Sequence, residues 1–183
     1  MNKNEDNDIK IFGAENPRAD TDVADVLENM NKNRQNGNFE KARQLGIWLA
    51  GEVMNDFAFE NKVLSSADND LRGRALMLFS AEAALNYYLP SAELSSVAVN
   101  LLNEKLIRSD SKLYDDVMES SDFSFYYVNV RKGGSNIPHD IGVTFAMLCR
   151  HDDEPEYIAA GAGIYSDTLD KTEKKIIEYQ FAN

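Results

Sequence analysis

The residue that most invites chemistry is Glu82, a carboxylate inside LRGRALMLFSAEAALNYYL (residues 71 to 89), a stretch apolar nearly all round. A carboxylate buried there needs Arg72, Arg74 or a hydroxyl as partner, or its pKa rises. The reading preferred here is an exposed or structurally paired Glu82. Its alternative is an interior polar cluster that includes Glu82, with Arg74 or His139 as a further member, and that binds or hydrolyses a ligand. His139-Asp140 opens another segment, and His151, Asp152, Asp153, Glu154 and Glu156 form an acidic run that attracts cations. Trp48 is the remaining anomaly. On a helical wheel it falls nearly opposite Phe39 and Phe57, among Glu40, Lys41, Gln44, Glu52 and Asn55, so either a second helical layer covers it or it anchors an interface. Burial by a second layer is the expectation.

Metal and phosphate chemistry are not supported by spacing. His139-Asp140 is similar to the His-Asp pair of HD-domain phosphohydrolases, but that family's other His lies upstream, whereas His151 lies downstream. The pair therefore reads as a polar first turn, with Asp140 near a helix N-terminus. The acidic run lacks the alternating ligands and central glycine of a calcium loop and reads as a solvated turn. Ala159 to Gly163 follows no strand and leads into no Gly-Lys-Ser/Thr element, so close helix packing explains its small residues. Arg131, Lys132, Gly133 and Gly134 are ordinary chemistry for a helix C-terminus. Cys149 is the one cysteine, which rules out an intramolecular disulfide and thiolate-rich zinc sites. No cofactor and no metal are expected.

The elements that must position these residues are helices. Asn38 stands as a capping residue before Phe39, Ala42, Leu45, Leu49, Val53 and Phe57, which recur at helical spacing. Residues 71 to 89 belong at the centre of a bundle. Pro90 forces a boundary, and Ser91 caps a helix carrying Leu94, Val97, Leu101 and Leu102. Ser109 to Ser111 start another through Leu113, Tyr114, Val117 and Met118. In DFSFYYVNVRKGG (residues 122 to 134), Phe123, Tyr126, Tyr127 and Val130 share one helical face, and Gly133-Gly134 is a stop; helix is preferred to strand, with Ser121 as its cap. Asn136 with Pro138, and then Asp153 with Pro155, open two more helices. The capping-box spacing of Asp170 and Glu173 predicts a break near Ser166 and a restart through Ile176, Ile177 and Phe181.

Gly37, Phe39, Glu40, Lys41 and Ala42 resemble the opening of the second helix of a tetratricopeptide repeat. Around them, Val26, Asn29, Met30, Asn33, Gly46 and Met54 depart from that pattern, and no second copy follows at a period of ~34 residues. The stretch is therefore a single capped amphipathic helix. With 183 residues, 43% of them hydrophobic, the chain is long enough for one sizeable core. The expected fold is all-α, a compact multi-helix bundle or short irregular α-solenoid of seven or eight helices, over residues 21 to 183. Residues 1 to 20 read as a flexible tail with an apolar island at Ile9, Ile11 and Phe12.

Charge sets the expected partners. Thirty-one acidic against 19 basic residues give a net charge of -12, which repels phosphate backbones and anionic lipid surfaces. No signal-like segment or membrane span is recognisable, and with the single cysteine this points to the cytoplasm. The expected function is a cytosolic protein-interaction or regulatory module, without a defensible enzyme motif and with a protein as partner. The alternative is the helical hydrolase or small-ligand binder around Glu82. The candidate residues are Trp48, Glu82, Arg74 and His139.

Overall fold

A computed structural model describes residues 23–55, 62–133 and 136–182. The expected tail 1–20, with its apolar island, lies outside the described residues, as do Phe57 and Gly134. The described chain forms eight α-helices and a single 3-10 turn, Lys62–Leu64, without strands. The helices are α1 (Val23–Gln35), α2 (Asn38–Met54), α3 (Ala67–Tyr88), α4 (Ala92–Ser109), α5 (Ser111–Glu119), α6 (Asp122–Lys132), α7 (Ile137–Leu148) and α8 (Pro155–Tyr179).

Helix α3 is the central element. It packs against α2 and every helix from α4 to α8, and its two sides feed two cores. Ala75, Met77, Leu78, Ala81 and Leu85 join α2, α4, α5 and α8 in one, while Leu76 and Phe79 meet Tyr126, Ile141, Phe145 and Tyr165 in the other. The closest helix pairings are α2 with α4, α3 with α8 and α7 with α8. The first two join helices that are not successive, so this is a bundle and not a solenoid, in which each unit touches only its neighbours.

Side-chain caps explain four of the eight helix starts. Ser66, Ser91, Asp110 and Asn136 each accept a hydrogen bond from the backbone N–H three residues on, which satisfies one open donor of the first turn. Residues 122 to 131 are helical, as the spacing of Phe123, Tyr126, Tyr127 and Val130 predicts.

Several details differ from the expectations. Helix α1 has no counterpart among the helices expected from sequence; it is rich in polar residues, and its described side chains are largely exposed. Gly37, in the left-handed region at φ 70°, occupies the cap position of α2, and Asn38 is not a cap. Ser121 makes no capping hydrogen bond, and Glu154, not Asp153, precedes α8. Helix α8 runs unbroken through Ser166. Its Thr168 and Thr172 hydroxyls donate to the carbonyls of Ile164 and Thr168, one turn back, so the hydroxyls are satisfied within the helix.

Two close approaches fix helix pairs. A Cβ on Gly46 of α2 would collide with the Ala98 carbonyl of α4, and one on Gly142 of α7 would collide with the Ile158 carbonyl of α8. Of the small residues after Ile158, Gly161 serves helix packing, since a Cβ there would collide with Phe145, whereas Gly163 has open space.

Candidate functional site

The four residues singled out by sequence fall in separate environments. Arg74 is buried on α3, where its Nε donates to Asp70 Oδ2 at 2.7 Å and its guanidinium donates to the Val53 carbonyl at 2.8 Å. It fastens the end of α2 to α3. Glu82 lies two turns further along α3, roughly 12 Å by helical rise. Its one hydrogen bond comes from Asn103 Nδ2 of α4 at 3.4 Å. Burial raises the Glu82 carboxyl above its ordinary pKa, and the Asn103 bond offsets this only in part. The small cleft beside Arg74 is walled by Val53, Leu78, Leu106, Tyr114 and Val117 and does not include Glu82.

His139 is exposed in the first turn of α7, 3.7 Å from Asp140, on the rim of an open groove formed with Pro138, Pro155, Ile158 and Ala162. Arg74, Glu82 and His139 are therefore not brought together. Trp48 is half-buried between α2 and α8. Its ring borders a shallow cleft with Glu52, Met77, Lys171 and Thr172, and Lys175 Nζ stands 5.8 Å from the ring centroid. A second layer does lie against it, and that layer is α8.

A buried polar group that the sequence did not reveal joins α3 to α6. Arg72 donates to Asp122 Oδ1 at 2.7 Å and approaches Asp68 at 3.6 Å. Asp122 is buried, so its carboxyl pKa is raised by desolvation even though Arg72 pulls it down. Burial alone would lower Arg72, but Asp122 and Asp68 leave it raised. The same burial pushes the Cys149 thiol up to about 12 and the Tyr126 hydroxyl well above its usual value. A thiol of that kind stays protonated at neutral pH and is a poor nucleophile. The arrangement suits anchoring of α6. Among the described residues, no group of three or more His, Cys, Asp and Glu side chains is placed to hold a metal ion.

An exposed apolar face is built by α6 and α7. Asn129 of α6 donates to the Thr144 hydroxyl of α7, which marks the line where the two helices meet. On each helix the core residues Tyr126, Ile141 and Phe145 fall to one side of that bond. Phe125 and Val128 of α6, and Val143 and Met147 of α7, fall to the other, within roughly 100° on the wheel. All four are open to solvent, at 45%, 48%, 40% and 41% respectively. Lys132 and Asp140 lie on the same flank as a polar rim. Four apolar side chains grouped along one seam differ from the scattered single exposures of an ordinary surface.

One apolar stripe per helix, read along the sequence, does not disclose this face. The signal is the surplus: once Phe123, Tyr126, Tyr127 and Val130 fill the buried face of α6, Phe125 and Val128 have none left to enter. Comparison with protein families, with characterised proteins and with solved structures finds no match, so the chain's own geometry carries the functional reading.

Proposed function

We propose that the protein is a cytosolic protein-interaction or regulatory module that engages its partner through the seam of α6 and α7. The observation that carries this reading is the grouped exposure of Phe125, Val128, Val143 and Met147 beside Lys132 and Asp140. An apolar centre with a polar rim is the anatomy of a protein interface. The net charge of -12 favours basic protein surfaces over nucleic acid or anionic lipid. No helix among the described residues is long and apolar enough to cross a membrane, and the buried free thiol of Cys149 suits a reducing compartment.

The test is capture from native lysate with quantitative mass spectrometry, comparing wild type, the Phe125→Ser/Val128→Ser double variant and Trp48→Ala. The double variant is expected to lose its specific partner about tenfold or more, a loss of roughly 1.4 kcal/mol, while its circular dichroism and melting curve stay close to wild type. Trp48→Ala, on another side of the bundle, should retain the partner. Unchanged capture by a folded double variant would sink the assignment of this face.

A further inference from the structure

Asn38 looks like a helix cap in the sequence, and the structure employs it otherwise. Its side chain is fully buried at the corner between α1 and α2. The Nδ2 group donates to the Ala182 carbonyl at 2.7 Å and to Asn33 Oδ1 at 2.9 Å, and Oδ1 accepts from the Ala182 N–H at 3.0 Å. One carboxamide thus grips both main-chain polar groups of a single residue 144 positions away. The orientation of that amide is forced, since exchanging its oxygen and nitrogen would set donor against donor and acceptor against acceptor.

The segment being gripped has left helix α8. Gln180 takes a left-handed conformation, φ 51° and ψ 60°, which turns the chain out of the helix and back toward α2. Lys41 Nζ then donates to the Gln180 carbonyl at 2.8 Å. Phe181, between the two held residues, packs half-buried against the core shared by α2 and α4.

The three hydrogen bonds that join α2 to this segment all use the segment's main-chain atoms, so none of them reads a side chain; Phe181 alone supplies side-chain identity. We infer that the corner of Asn33, Asn38 and Lys41 is a receptor for the main chain of a peptide, occupied in this structure by residues 180–182 of the same chain. The fitting partner is a peptide with an aromatic side chain immediately before the residue clamped by Asn38. The chain's own segment competes for the seat and regulates access to it. This site is separate from the α6 and α7 seam, and either can fail without the other.

The experiment uses full-length protein labelled with nitrogen-15 and the peptide Glu-Tyr-Gln-Phe-Ala-Asn, titrated while the Asn38 side-chain amide resonances are followed. Two variants open the seat in different ways: Phe181→Ala removes the aromatic anchor, and Ala182→Pro removes the N–H that Asn38 accepts. Hydrogen exchange at the Asn38 side-chain amide and, in Phe181→Ala, at the Ala182 amide reports the opening. At least one opened variant is expected to show saturable shifts at Asn38 with about tenfold less peptide than wild type, because the tethered competitor has been weakened. The same peptide with its phenylalanine replaced by alanine should not saturate. An opened, folded variant that leaves the Asn38 resonances unmoved at millimolar peptide would overturn the proposal. So would equal binding of the two peptides, or failure of both substitutions to release the segment.

Discussion

Glu82 shows how a residue's setting, more than its type, decides its chemistry. The sequence placed it correctly in an apolar helix and correctly posed the choice between pairing and a raised pKa. It could not show that Arg74 is engaged elsewhere, because Asp70 on its own helix and the Val53 carbonyl are closer partners. With its folded pKa raised, Glu82 contributes stability that is fully present below its unfolded pKa of about 4.3 and is lost as pH rises through the folded value. Glu82→Gln removes that titration and keeps an oxygen to accept from Asn103. The melting temperature of the variant should therefore gain on that of wild type between pH 4 and pH 7. A melting difference that is the same at both pH values would mean that Glu82 titrates as an ordinary exposed acid. Asn38 marks the limit of reading residues locally: its type and its place before a helix fit a cap, yet its partner is Ala182, which no neighbouring residue discloses.

At the scale of elements, periodicity located α2 to α7, and proline, serine and asparagine placed several of their starts. Failures cluster where a local rule competes with packing. The spacing of Asp170 and Glu173 suggests a restart, but Thr172 between them is fully buried and the helix continues. Glycines sort in a similar way. Gly46 and Gly142 sit where a methyl group would meet the backbone of a neighbouring helix, whereas Gly51 and Gly163 have open space at the Cβ position. Gly46→Ala and Gly142→Ala should each cost about 1–3 kcal/mol or more by forcing helices apart. Gly51→Ala should stabilise by up to ~1 kcal/mol through helix propensity alone. Urea unfolding of the three variants tests this contrast, and equal effects would refute the close approach of α2 to α4 and of α7 to α8.

For the whole molecule, the all-α class and the central place of α3 were legible, since a helix apolar nearly all round has to be surrounded. The pairing of non-successive helices was not, because periodicity gives each helix an apolar face without naming what that face meets. Helix α3 supplies Leu78 to one core and Leu76 to the other, so loss of its helical structure dissolves both. Far-ultraviolet circular dichroism and tyrosine near-ultraviolet signals should therefore trace one urea transition with coincident midpoints. Two separated midpoints would show that the α6–α7 core melts independently of the α2–α4 core.

The chain's only tryptophan, Trp48, lies against α8, with the Lys175 cation above its ring. That placement makes the molecule its own optical gauge. Indole emission follows the polarity and charge around the ring, so a shift in colour or intensity records α8 rising from its seat. The seam of α6 and α7 carries no indole, and a partner that settles there without disturbing α8 leaves the emission dark to its arrival.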